Sequence, residues 1–360
     1  MTAMRSRFFL LPVRFALLLS FIFFILRSPA QPTHYSFSAT AGSVIPTNGS
    51  PYTGDGASVG VDAAVYWHQD DDDCYWQRFW RHPFFGIRAN YAHLRNPLVG
   101  DRFELALLLQ GPIVAHLDWT YSVGLSFYTN PYRFSHNTQN SFIGSVTNCL
   151  IDLGVVYDIP LDEQHTLFLS AKLLHTSDAY LYKPNHGLNY LQAELGLRWG
   201  HRRRVVAMPH ADTSFAPYGR PFIMLAPGLV TSRFTPDEEI SYFFTYSAQL
   251  GYIRHFHPCF AWGATFDASY NFSHQQQTGH PRIPLYPAVS AFADAYWGPW
   301  ALRFGLAHYI GHFPLNWEQY YERVALYYRF GQNQRQYFGV GMKVHYDHID
   351  FIECTYAIEL

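Results

Sequence analysis

The sequence predicts an all-β protein, a transmembrane antiparallel β-barrel of the bacterial outer membrane. Three observations predict it: an export signal, alternating hydrophobicity along nearly all of the remaining chain, and many aromatic residues with few charges. The export signal comes first. Arg5, Arg7 and Arg14 precede an apolar stretch at 15–26, and Ser28-Pro29-Ala30 ends in a small residue before Gln31. This is a signal-peptide layout with cleavage expected after Ala30, so 1–30 is expected to be removed. The alternative is an uncleaved anchor, but the stretch falls short of the ~20 residues a helical span needs. No long apolar run follows it.

Aromatic residues make up 18% of the chain and charged ones 14%, with a net charge of −2, so the basic footprint of a nucleic-acid binder is missing. Arg202-Arg203-Arg204 is the densest basic run and reads as a solvated strand end. Cys74, Cys149, Cys259 and Cys354 are too widely spaced for a zinc site. Cys149 and Cys354 fall on apolar strand faces, which favours mostly free, buried or lipid-facing thiols.

Alternation then fixes the elements. Side chains on a strand point to opposite faces in turn. Val59, Val61, Ala63, Val65 and Trp67 alternate with Gly60, Asp62, Ala64 and Tyr66. Phe260, Trp262, Ala264, Phe266 and Ala268 alternate with Gly263, Thr265, Asp267 and Ser269. One face is apolar and aromatic, the other small or polar, as in barrels with a polar interior and aromatic girdles. Strands are expected at 34–43, 56–68, 84–94, 102–111, 115–128, 144–158, 165–177 and 187–200. Eight more are expected at 220–232, 240–254, 259–273, 285–297, 299–310, 319–330, 336–346 and 350–360, with a short interfacial helix at 74–81. The stretch 203–218 lacks alternation and reads as a linker. It separates a segment at 31–202 from a second strand set at 219–360 that completes the barrel. One barrel of about 14–16 strands, or an eight-stranded unit plus a second set, both fit. The last strand is expected to close against the first.

Chemistry concentrates at one strand pair. Leu167, Leu169, Ala171, Leu173, His175 and Ser177 share one face, and Asn189, Leu191, Ala193, Leu195 and Leu197 share the matching face of the next strand. A nucleophile, a base and an orienting amide thus lie on apolar faces, at the end where a loop joins the strands. In a soluble sandwich that face is core; in a membrane barrel it meets lipid. A Ser hydroxyl is a poor nucleophile until a neighbouring base takes its proton, and residues i and i+2 on a strand share a face. The plainer alternative leaves His175 and Ser177 as ordinary polar groups of the headgroup zone.

The pattern His-x-Ser-(Asn/Asp)-x(5)-Pro-Asn-x-Gly is filled here by His175, Ser177, Asp178, Pro184, Asn185 and Gly187. It resembles the signature of the PagL-type outer-membrane lipid A deacylases, including the longer acyloxyacyl hydrolases. Thr129-Asn130-Pro131-Tyr132, then Asn137 or Asn140, Gly144 and Asn148 are similar to the longer members. The resemblance implies Ser177 as nucleophile, His175 as base, and an orienting residue at Asn189, where the family carries an acid. Asp178 is the second candidate for that third role, although strand parity turns it away; Glu194 faces the interior. Asp178, Asn185 and Gly187 are expected to support the site or its oxyanion. The implied function is removal of an ester-linked acyl chain from lipid A or lipopolysaccharide, without metal or cofactor. A non-enzymatic barrel, pore or structural, is the alternative, and a phospholipid esterase a third. Counting strands puts 178–188 on the outer side. Lys183 and Arg133 there meet lipid phosphates or water, and the acidic run 70–73 is a solvated turn at the opposite end.

Overall fold

The computed structural model describes residues 34–45, 56–68, 74–178, 182, 184–200, 215–232, 241–274, 285–311, 319–345 and 348–360. The expected signal peptide, the acidic run 70–73, Lys183, Arg202-Arg203-Arg204 and most of the expected linker lie outside these residues. Alternation dictates sixteen strands, and all sixteen form. They are β1 His34–Val44, β2 Ala57–His68, β3 Phe84–His93, β4 Asp101–Val114, β5 Leu117–Tyr128, β6 Thr147–Pro160, β7 His165–Ser177 and β8 Leu188–Gly200. The second set is β9 Tyr218–Ser232, β10 Ser241–His257, β11 Phe260–Asn271, β12 Tyr286–Trp297, β13 Trp300–Tyr309, β14 Tyr320–Phe330, β15 Gln336–His345 and β16 His348–Glu359. The expected helix is present as α1, Tyr75–Phe79.

Each set of eight closes on itself. β1 pairs with β2 on one edge and β8 on the other, from His34↔Gly200 to Val44↔Tyr190. β16 pairs with β9, through Ile352↔Leu229 and Glu359↔Phe222. The expectation that the last strand closes against the first is therefore corrected, as is the idea that 219–360 completes the first barrel. The physical reason is that both edges of β1 are already used, and eight strands suffice for a barrel whose interior is filled by side chains.

Filled interiors are what both barrels show among the described residues. In the first, Arg88 sits among Asp62 (3.3 Å), Glu104 (2.9 Å), Asp152 (2.8 Å) and Glu194 (3.9 Å), and Lys172 meets Glu194 at 2.8 Å. In the second, Arg303 binds Asp294 through two hydrogen bonds of 2.7 Å and lies 3.8 Å from the Phe292 ring and 4.5 Å from that of Phe222. The outward faces are the reverse: Phe103, Leu105, Leu173 and Leu195 on the first barrel are exposed, as are Leu250, Trp262, Phe266 and Phe304 on the second. A ring of exposed large hydrophobes is stable only against an apolar medium.

At one end of the barrels the β4–β5, β6–β7, β10–β11, β12–β13 and β14–β15 connections are turns of two to five residues; the opposite end carries longer loops apart from the two-residue β15–β16 connection. α1 lies in the 15-residue β2–β3 connection, the one long connection within either barrel at the end with the short turns, and docks on the second barrel. Trp80 Nε1 donates to the Tyr296 carbonyl at 2.9 Å, and its ring stacks on Trp297 at 5.1 Å. All four cysteines are present as thiols, Cys259 buried and the other three half-buried.

Candidate active site

The site is built at the long-loop end of β7 and β8. Cross-strand register sets His175 directly opposite Asn189, and Ser177 opposite Cys149 on β6. Both contacts follow from the pleat: one residue of slip would send His175 into the interior. His175 Nδ1 lies 2.7 Å from Asn189 Oδ1. An amide oxygen only accepts, so Nδ1 carries the hydrogen and Nε2 keeps its lone pair for a proton. Asn189 thus holds the ring in the tautomer a general base requires, but it brings no negative charge.

Ser177 is only 6% exposed although it faces outward, because the loop at 184–187 folds over it. Asn185, 3% exposed, donates from Nδ2 to Ser177 Oγ at 2.8 Å. An amide N–H aimed at that oxygen favours negative charge developing there or beside it. Gly187 has φ +68°, the left-handed region glycine adopts without strain. A Cβ there would meet His175 Cε1 at 3.0 Å and Ser177 Cβ at 3.3 Å, so the backbone passes against the site where no side chain fits.

The structure thus brings together His175, Ser177, Asn189, Asn185 and Gly187. Asp178 is buried, and its Oδ2 lies where a Cβ on Gly144 would come within 3.0 Å. Its Oδ2 thus lies beside the β5–β6 loop, while His175 Nδ1 lies against Asn189. Glu194 is interior, paired with Lys172. Arg133 is exposed on the β5–β6 loop, where it bridges to Asn137.

Periodicity left out the scaffold beneath the site. The β5–β6 loop buttresses the 182–187 loop: His186 N donates to Ser141 O at 3.2 Å and Gly187 N to Phe142 O at 3.0 Å. Asn140, fully buried, fixes that loop. Its Nδ2 donates to Leu98 O and Asn130 O, both at 2.9 Å, and its Oδ1 accepts from Phe142 N and Ile143 N, both at 3.1 Å. Behind the strands Tyr128 OH and Thr176 Oγ1 hydrogen-bond at 2.6 Å. Resemblance had marked Asn137, Asn140 and Gly144; no periodic pattern marks an Asn that binds loop carbonyls.

The fold and this cluster define a class: an all-β protein of two closed, plugged barrels, one carrying a Ser–His–Asn cluster on its outward face. The chain belongs to the PagL family. The family model described as lipid A 3-O-deacylase (PagL) matches residues 61–198, and that described as acyloxyacyl hydrolase, C-terminal domain, matches 220–359. Each match falls within one barrel: the first begins inside β2 and leaves out β1, and the second spans nearly all of β9 to β16. No curated protein matches the chain. Solved structures it is similar to include an outer membrane channel from Pseudomonas putida F1, at 10% identity, 92% of this chain, 97% of that one and TM-score 0.20. CdiB from Acinetobacter baumannii is similar at 10% identity and TM-score 0.18; the match takes 92% of this chain and 60% of CdiB. Likeness at this level carries no argument about the site.

Proposed function

We propose that this protein is an outer-membrane serine esterase that removes an ester-linked acyl chain from lipid A. The observation that carries the reading is the pairing of His175 Nδ1 with Asn189 Oδ1 at 2.7 Å, beside a Ser177 whose Oγ is held by Asn185. Family membership supplies the substrate class. Segment 1–30 directs export, and short turns then lie on the periplasmic side, as is usual for such barrels. Long loops and the site lie at the outer leaflet, where lipid A resides.

In this mechanism Ser177 Oγ attacks the ester carbonyl while His175 Nε2 takes its proton. The Asn185 amide stabilises the oxyanion. His175 returns the proton to the departing sugar oxygen, and water then releases the acyl group from Ser177 by the same steps. Asn189 keeps the imidazole oriented through both halves. Among the described residues the second barrel offers no copy: His308 faces Tyr320 across the strands, turns its Nδ1 to Tyr309 O at 2.8 Å, and has Ile310 two residues on.

The experiment is mass spectrometry of lipid A incubated with purified protein, against a Ser177→Ala control. Loss of one acyl chain with wild type and none with the variant is expected. Intact lipid A with both defeats the reading, and phospholipid turnover in its place moves the activity to a different ester.

A further inference from the structure

The contact between the barrels holds two cysteines that the deacylase chemistry does not use. Cys74 immediately precedes α1, and Cys259 lies in the two-residue turn between β10 and β11. Both belong to the short-turn end. One imidazole joins their surroundings. Tyr75, next to Cys74, has its hydroxyl 3.1 Å from His257 Nε2, while the Cys259 N–H donates to His257 Nδ1 at 3.1 Å. Because Nδ1 accepts, Nε2 carries the hydrogen and donates to Tyr75. Phe79 packs on the same His257 ring at 4.6 Å and on Phe260 at 5.6 Å. The residues flanking each cysteine are thus in contact across the barrel boundary.

We propose that Cys74 and Cys259, both thiols in this structure, close on oxidation into a disulfide that staples the two barrels together at their periplasmic ends. The periplasm is an oxidising compartment in which such bonds form and persist. Cys149 and Cys354 stand apart from this pair: each points outward from the middle or far end of a membrane strand, on β6 and β16 of different barrels. The order of events follows from exposure. Burial pushes the Cys259 thiol up to about 12, with the Cys74 thiol adding to the rise, so Cys259 is a poor first nucleophile. Cys74 is half-buried and reacts first.

The oxidant is a disulfide-bearing thiol oxidoreductase of the periplasm. The Cys74 thiolate attacks its disulfide, forming a mixed disulfide and releasing one carrier thiolate. Cys259 gives up its proton and its sulfur displaces the second carrier thiolate. Two thiols of this chain are oxidised, the carrier disulfide is reduced to a dithiol, and the two protons end on the carrier.

The test is thiol counting on the full chain exported to the outer membrane and purified without reductant. The protein is alkylated in denaturant, then reduced, alkylated with a second reagent and digested. Cys149 and Cys354 should carry the first label, Cys74 and Cys259 the second, and an unreduced digest should contain the 74–259 crosslinked peptide. In Cys74→Ser, Cys259 should move to the first label, and the converse holds for Cys259→Ser. Label is read in denaturant, so a folding defect in either variant does not obscure it. First label on all four cysteines of the wild type, or a link that includes Cys149 or Cys354, overturns the proposal. The inference rests on the exported-barrel reading but not on the hydrolytic chemistry. Ser177→Ala should carry the same link, so an inactive protein with the link intact rejects only the esterase.

Discussion

The seventh strands of the two barrels both carry a histidine within their last three residues, and the two histidines face opposite ways. β7 ends His175-Thr176-Ser177, with His175 outward, opposite Asn189. β15 ends Lys343-Val344-His345, with His345 buried inside the second barrel. There its Nε2 lies 2.8 Å from Tyr309 OH and its Nδ1 3.8 Å from Asp350. The pairing of β15 with β16 shifts register between Lys343 and Val344. A histidine among interior partners helps fill a barrel; under the proposed function the same residue type on the outward face, beside a serine, acts on what surrounds the barrel. Parity rather than residue type separates the two roles.

The largest effect expected follows directly. His175→Ala should lower deacylation by about ten-thousandfold or more, as removal of a triad base does elsewhere. His345→Phe and His308→Ala should leave it unchanged. The measurement is kcat/KM on lipid A micelles for the three variants side by side. Equal losses at His175 and His345 would erase the distinction.

Much of this was legible from alternation, and the limits are physical. All sixteen strands and the faces of His175, Ser177 and Asn189 follow from period 2, because burial on one side only imposes it. Closure into two barrels does not, because one large barrel and two small ones present the same alternation. What decides closure is the β1–β8 register, a contact between strands far apart in sequence. The β16–β9 pairing was misread for that reason. The role of Asn140 was hidden for another: resemblance marked the residue, but side-chain bonds to loop carbonyls have no period. The asparagine at 189 was plain in the sequence, but its oxygen facing His175 is a fact of geometry.

The interiors sharpen the comparison next. Arg88 serves four carboxylates, whereas Arg303 serves one carboxylate and several rings. Arg88→Met should cost about 3–5 kcal/mol, because it leaves several buried charges uncompensated. Adding Asp62→Leu should not restore the loss. In the second barrel Arg303→Met with Asp294→Leu removes both members of a pair and should come within about 1 kcal/mol of wild type. Urea unfolding followed by tryptophan fluorescence in detergent micelles reads both. A repaired Arg88 double variant would show that its network is pairwise after all.

A smaller effect is expected at Gly187, in the β7–β8 loop. Gly187→Ala puts a methyl 3.0 Å from His175 Cε1 at a positive φ. The ring must shift, and a misplacement on the scale of an ångström costs about a hundredfold. The loss should fall on kcat, with barrel stability little changed, since the strain is confined to a loop. A loss seen only in the unfolding midpoint would assign Gly187 to folding instead.

The smallest effect, and the most informative about this chain's departure from its family, is expected at Asn189. Its oxygen already selects the right tautomer, so what it lacks is charge. Asn189→Ala removes one hydrogen bond and should lower kcat/KM by about tenfold, the equivalent of ~1–1.5 kcal/mol. Asn189→Glu keeps an acceptor and adds a carboxylate able to stabilise the imidazolium. Its activity should match or exceed wild type at high pH. Burial at the lipid face raises a carboxyl pKa, since desolvation disfavours the charged form. As pH falls through that raised value the glutamate protonates, the added stabilisation is lost, and the gain should vanish. Wild type, with a neutral partner, should show no such step from position 189. If Asn189→Ala is fully active while Asp178→Ala is dead, the third role belongs to Asp178. If neither change matters but Ser177→Ala abolishes turnover, the site works as a Ser–His dyad. In that case the 2.7 Å contact between His175 and Asn189 serves the strand pair rather than the reaction.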